Sequence, residues 1–469
     1  MSKEANNKAL IVGTITYTIG NFGTKILSFL IVPLYTFYIL PSDLGDYDLL
    51  MTTVSLLSPL LTMKISDATY RWLIKDKSNS PDYIGATYKL LIRNCLFFSI
   101  IIVLINHFFP IWNCYYFILI LIGDRVLECI QKLLRGLKNQ KLFAISGVLY
   151  TFLLVSANFF KICVLNEGVL ALLQSVIFAQ WITVLFILAF EKQLRIINIK
   201  KNHKELQKEM LHYSIPLVPS ALSWWVMSAS DRYVIRAILD STSNGIFAVA
   251  GKFPSILQTV FVMFNNAWTD MALADLSNNE NCNKYVEELF CKLYKFSFSM
   301  VFLLIPITKV ITQVILGPSY QSASIYIGIL YLGTIFQGFS SFCSIGYLQK
   351  NSTSGAAKTS MYGAVVNLIV DVFLMKYIGL FAAALSTFIG FFIMWITRMI
   401  DIRDTFPVRV DILQFSLFFI SSLIMAVISI WSSLTTDLIL AAIAGLVFII
   451  VNYSIVKKLI NILKVKLCK

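Results

Sequence analysis

Charge is scarce in this 469-residue chain: 14% of residues are Asp, Glu, Lys or Arg, against 58% hydrophobic ones. Together with a mean hydropathy of +0.76, that excludes a soluble globular domain, in which about a quarter of residues are charged. Histidine is nearly missing. His107, His203 and His212 are the whole set, and none has a ligand-like neighbour at helical spacing, so no metal site is expected. The eight cysteines are scattered without a CxxC pair or cluster, which excludes a disulfide frame and a zinc site and leaves small buried hydrophobes. No Ser/His/Asp arrangement, Gly-rich phosphate loop or paired-carboxylate motif stands in a suitable context. Long polar segments are lacking too. The longest, 191–211, has 21 residues, too few to build a nucleotide-sugar domain. The chain reads as a non-enzyme without a cofactor.

What is present is apolar sequence in runs of about 20 residues or more, the length that crosses a bilayer as helix. Fourteen spans are predicted, near 10–39, 44–66, 86–109, 112–135, 142–164, 168–190, 213–239, 245–274, 289–316, 322–349, 358–378, 379–399, 410–431 and 437–457. The first is too long for a signal-peptide core and lacks an A-x-A site, so it is expected to remain as a span. If the amino terminus is cytoplasmic, thirty of the 39 Lys and Arg fall on cytoplasmic segments, which predicts both termini inside. The same bias accounts for most of the +14 net charge and calls for an anionic membrane surface as partner, with no nucleic acid.

The Lys-rich segment 191–212 is expected to be a cytoplasmic linker between an amino-terminal lobe of six helices (1–190) and a carboxy-terminal one (213–400). Two further helices and a basic tail (401–469) follow. Tyr35, Leu40, Gly45 and Tyr47 match Tyr233, Leu239, Gly245 and Phe247 at near-constant offset, and prolines recur in the same helix pairs (Pro33 and Pro59; Pro216, Pro219 and Pro254). A shift of six spans preserves orientation, so the lobes are read as parallel repeats that rock around a shared cavity.

Lys25, Lys64, Arg125, Arg232 and Lys252 lie inside predicted spans, where each costs about 2.5–3.5 kcal/mol at mid-helix and normally lines a wet cavity. A cation-lined cavity suits an anionic substrate. Lys25, on a polar stripe with Asn21, has no acid at helical spacing and is the first candidate, with Lys252 next. Arg125 stands beside Asp124 and Glu128, and Arg232 beside Asp231, and an internal ion pair explains each of these arginines at least as well as substrate contact. Lys64, one turn from a span end, reads more readily as a snorkelling side chain. Asp371, Asp270, Asp231 and Glu128 are the acids that could carry a coupling proton or sodium ion, or neutralise those cations.

The run LPSDLGDYDLL (40–50) after a long first span resembles the start of Wzx-type oligosaccharide flippases of the multidrug/oligosaccharidyl-lipid/polysaccharide transporter superfamily. IPLVPSALSWWVMSASDRYVI (215–235) and NGIFAVAGKFPSIL (244–257) are similar to its seventh and eighth helices. LGPSYQSASIYIGILYLG (316–333) and NLIVDVFLMKYIGLFAAALST (367–387) are similar to its tenth to twelfth. The resemblance implies an all-α polytopic membrane protein with two parallel six-helix lobes, as in multidrug exporters of the superfamily, plus two carboxy-terminal helices. It further implies transfer of undecaprenyl-pyrophosphate-linked oligosaccharide repeat units, for O-antigen, capsule or similar polymers, from the cytoplasmic to the outer leaflet of the bacterial inner membrane. A polymerase and a chain-length regulator of the same pathway are the candidate protein partners. On this reading Lys25, Lys252 and Arg232 hold the pyrophosphate. The rivals are a multidrug exporter of the same fold, whose cationic substrates call for an acidic cavity, and an O-antigen polymerase or ligase, which needs a sizeable external loop.

Overall fold

The computed structural model describes residues 27, 29–195, 203–275, 282–349, 353–404, 406, 408, 410–453 and 457, with side chains at these positions except 270–284 and 348–353. Among them every regular element is helical, and the protein is an all-α multi-pass membrane protein. It divides into two compact units, Met1–Trp225 and Val226–Lys469.

In the amino-terminal unit α1 (Val32–Tyr38) is followed by α2 (Pro41–Thr62). Leu40 is extended and Pro41 occupies the first turn with Asp43, a proline that needs no N–H and an acid at the positive end of the helix. α2 stops at Met63 and Lys64, both left-handed (φ 47° and 55°), and α3 (Ile65–Lys75) leaves at 55° to it. The carbonyls freed by this break are satisfied: Asn94 donates to Leu61 O (2.8 Å) and Ser214 to Met63 O (2.7 Å). α4 (Ser80–Phe108), α5 (Cys114–Gly136), α6 (Gln140–Phe159, continued by a π turn) and α7 (Val169–Phe190) complete the bundle. Between α3 and α4, the Ser78 hydroxyl and then its N–H hold the Asp76 carboxyl below its ordinary range. α8 (Lys204–Ser214) packs on α3 and α4. The interior is aliphatic, with Leu61, Ile120, Leu121, Leu133, Leu173 and Ile187 wholly buried. Outward, α4 leaves Ile92, Leu96, Phe97, Ile100 and Leu104 exposed, an apolar surface suited to lipid.

The carboxy-terminal unit contains the end of α9 (Leu217–Ala229), α10 (Asp231–Ile238), α11 (Ser241–Asp275), α12 (Cys282–Ile315), α13 (Ser324–Gln349), α14 (Thr353–Ile378), α15 (Leu380–Ile402), α16 (Ile412–Trp431) and α17 (Leu434–Val451). Its core is aromatic: Phe290, Phe298, Phe336 and Phe339 meet edge-on, Trp395 stacks on Phe415 at 5.2 Å, and Trp268 stacks on Phe342 at 4.9 Å. α15 lies along α13 and α14. At the α14–α15 crossing a Cβ on Gly363 would stand 2.8 Å from Gly390 O, and one on Gly390 would stand 2.8 Å from the Asn367 Cβ. Glycine at both positions is what lets the backbones approach so closely.

Two cations near span ends are interior anchors. Arg398 on α15 donates to Ser340 O and Ser344 Oγ (2.6 Å each) and to Ser360 Oγ (3.0 Å). Lys309 on α12 reaches Ser432 O (2.8 Å) and Asp437 (3.7 Å), tying α12 to the α16–α17 turn.

Among the described residues ten helices are long and apolar enough to cross a membrane, or eleven if α2 and α3 form one bent span. The remaining predicted spans differ for identifiable reasons. Most of the first lies outside the described residues. The fourth, α5, carries Asp124, Arg125 and Glu128 near its middle, and the seventh is broken into pieces of 13 and 8 residues, α9 and α10.

Candidate functional site

The break in the seventh predicted span organises the polar interior of the carboxy-terminal unit. Ser230 sits at the break, its hydroxyl on Val226 O (2.6 Å) and 3.4 Å from Asn367 Oδ1. Asp231 opens α10, and its Oδ1 accepts both the Arg232 N–H (3.0 Å) and Nη1 (2.8 Å). The Arg232 guanidinium also lies 5.0 Å over the Phe247 ring, a cation–π contact that holds it without cancelling its charge. Gly251 leaves room there, since a Cβ at that position would come 3.3 Å from Arg232 Nη2.

Arg232 and Asp231 face a cavity of about 110 Å3 lined by hydroxyls and amides: Ser228, Ser255, Gln258, Thr334, Gln337 and Thr387, with Gly251, Pro254 and Phe391 between them. This lining can donate and accept hydrogen bonds around a single cation.

Behind it Asp371 on α14 is fully buried, with Asp231 and Arg232 as its charged neighbours. Ser386 is adjacent, but its hydroxyl is given to Ala383 O (2.9 Å), and neither Asp371 oxygen has a hydrogen-bond donor among the described residues. The Asn367 amide nitrogen, one turn away, is likewise unpartnered. Two carboxylates, one amide oxygen and one hydroxyl are hard oxygen donors of the kind that suit a small cation or a proton.

The amino-terminal unit holds a second charged assembly. Arg125, buried, pairs with Asp124 and Glu128. Glu128 also accepts from Lys132 (3.0 Å) and Ser58 (3.3 Å), Lys132 pairs with Asp67 (2.9 Å), and Lys64 approaches Asp67 at 3.8 Å. The order is Asp124, Arg125, Glu128, Lys132, Asp67, Lys64, with alternating sign throughout.

Of the residues singled out in the sequence, Arg232, Asp231 and Asp371 come together in one unit, and Arg125, Glu128 and Lys64 in the other. Lys252 is exposed on α11 and outside the lining of the Arg232 cavity. Lys25 and Asn21 lie outside the described residues, as does the side chain of Asp270. Lys132, Asp67, Gln258 and Gln337 were missed. The i,i+4 spacing of Glu128 and Lys132 was the available signal for the first of these.

A sequence profile of the family described as "Polysaccharide biosynthesis protein" matches residues 10–269. The chain belongs to that family. A relative from Methanocaldococcus jannaschii, named as uncharacterized membrane protein MJ1068, is 27% identical over 218 residues, covering 43% of this chain and 42% of its own length, so the chain spans less than half of that relative. Among solved structures, the lipid II flippase MurJ in an inward closed conformation aligns with a TM-score of 0.70 at 17% identity, covering 95% of this family member and all of that chain. An inward-facing multidrug resistance MATE transporter of the MOP superfamily aligns at 0.63 with 15% identity, covering 83% and 95%. The family member therefore has the fold of these transporters.

Proposed function

We propose that this protein is a flippase that moves polyprenyl-pyrophosphate-linked oligosaccharide repeat units from the cytoplasmic to the outer leaflet of the bacterial inner membrane, by alternating access. The observation that carries the reading is the Arg232 cavity. One guanidinium is held in place by Asp231 and the Phe247 face, among hydroxyl and amide side chains. A cation suits a phosphate, and neutral donors and acceptors suit sugar hydroxyls. About 110 Å3 takes a head group or part of a sugar ring, and the polyprenyl tail can stay in lipid. The family's description, polysaccharide biosynthesis, and a fold shared with a lipid II flippase support the same substrate class. Lys25 and Lys252 remain further candidates for the pyrophosphate.

Asp371, with Asp231 and Asn367, is the proposed seat of a coupling proton or sodium ion. The unpartnered Asp371 oxygens also suit the alternative of a cation-coupled multidrug exporter, so the test must separate the two. In a strain lacking the gene, lipid-linked repeat units should accumulate on the cytoplasmic side, and the wild-type gene should clear them. Arg232→Gln should fail to do so, whereas Arg232→Lys should retain a measurable fraction. Normal surface polymer in the deletion strain, combined with heightened sensitivity to cationic drugs, would favour the exporter.

A further inference from the structure

The alternating charges of the amino-terminal unit end loosely. Asp67 is shared by two lysines, close to Lys132 at 2.9 Å but only within 3.8 Å of Lys64, and that contact is the only carboxylate partner of Lys64 among the described residues. The three side chains are 21–34% exposed, as are Asp124 and Glu128 at 32% and 33%, whereas Arg125 between those two acids is only 6% exposed. Charge left exposed within a spanning region faces water or a polar ligand in preference to hydrocarbon.

The backbone displays these groups by construction. Lys64 occupies a left-handed position at the α2–α3 break, Asp67 lies in the first turn of α3, and Lys132 stands on α5 one turn past Glu128. The six charges sum to zero, so the assembly is neutral while its seat is filled by Asp67. A carboxylate offers one negative charge to two lysines, and a diphosphate offers more charge and more acceptor oxygens.

We propose that Lys64 and Lys132 form a second anion seat, taken by the diphosphate of a polyprenyl carrier lipid when it displaces Asp67. This rests on the flippase reading above and extends it to a named site in the other unit. On the orientation predicted from Lys and Arg, the seat lies towards the cytoplasmic ends of its helices, where a substrate made in the cytoplasm arrives. Asp67 acts as an internal stand-in for the diphosphate: it keeps the lysines neutralised in the empty protein and is released on loading.

The test uses the full chain in phosphatidylcholine nanodiscs with farnesyl pyrophosphate as probe, with thermal stability recorded for each variant. Lys64→Gln and Lys132→Gln should each weaken binding by about tenfold or more, and Lys132→Arg should stay near wild type. Asp67→Asn should bind several-fold more tightly, because the competitor is gone. A merely structural bridge predicts weaker or unchanged binding in Asp67→Asn, and that result would overturn the proposal. If Asp67→Asn does not fold, retained affinity in both glutamine variants overturns it equally. Phosphatidylglycerol competing at equal mole fraction as well as the probe would mark a general lipid site and also overturn it. Loss of binding in Arg232→Gln with no change in Lys64→Gln, Lys132→Gln and Asp67→Asn would remove this inference alone, whereas no binding by wild type would remove the flippase reading with it.

Discussion

Asp371→Asn is the substitution whose outcome follows most directly from the structure. The carboxyl is wholly buried and its two oxygens have no donor, with a second acid, Asp231, as neighbour. A buried polar group without a partner costs roughly 1–3 kcal/mol, more when charged. Asparagine keeps the shape, removes the charge and brings an N–H pair that can donate to the oxygens around it. In a buffer free of sodium the variant should therefore be more stable than wild type by about 1–3 kcal/mol.

Adding the proposed coupling cation should reverse the order. A ligand at about 100 times its Kd stabilises the folded state by about 2.7 kcal/mol, and this gain should appear in wild type and be lost in Asp371→Asn. Thermal unfolding in detergent, run with sodium or with choline as the cation and at two pH values to separate sodium from protons, measures both quantities. Transport should be abolished in the variant even as its stability rises. Two results would refute the reasoning: a variant less stable than wild type without the cation, or one that keeps the wild-type cation response.

The buried Lys309–Asp437 pair supports a second prediction. Lys309→Met strands a fully buried carboxylate and should cost about 3–5 kcal/mol, whereas the double variant with Asp437→Asn should recover much of that loss; equal stability of single and double variants would show that the pair is not coupled. At the α14–α15 crossing, Gly390→Ala puts a methyl 2.8 Å from the Asn367 Cβ and 3.1 Å from Gly363 O, so the helices must part. The expected destabilisation is about 1–3 kcal/mol, together with weakened cation stabilisation because Asn367 shifts; an unchanged cation response would separate the crossing from the site.

The all-helical, membrane-spanning character and the positions of most spans were legible because a bilayer imposes a long apolar run on each helix. Individual charges were harder to read. Lys132 and Arg398 stand near span ends, where composition alone reads a cation as an orienting charge, yet one bridges two acids within an ion chain and the other is buried among Ser340, Ser344 and Ser360. Each local sequence is the same whether the side chain turns outward or inward; only the packing of a neighbouring helix distinguishes them. Asp231 and Asp371 were each visible as acids inside spans. Their proximity was not, because it depends on α10 meeting α14 and on the close approach at Gly363 and Gly390.

On the proposed function, charge balance gives each polar assembly a part, taking each unit on its own terms. In the amino-terminal unit three acids and three bases cancel, so exchanging Asp67 for a more highly charged anion leaves a net negative site whose stability depends on what the anion gains from Lys64 and Lys132. In the carboxy-terminal unit Asp231, Arg232 and Asp371 sum to minus one if both acids are ionised, and a monovalent cation or a proton brings that interior to neutrality. A phosphate reaching Arg232 would draw the guanidinium away from Asp231 and leave two buried acids with less compensation. Substrate and cation at that site should therefore favour one another, and the cation should bind more tightly when the anion is present, by the factor with which the cation tightens the anion.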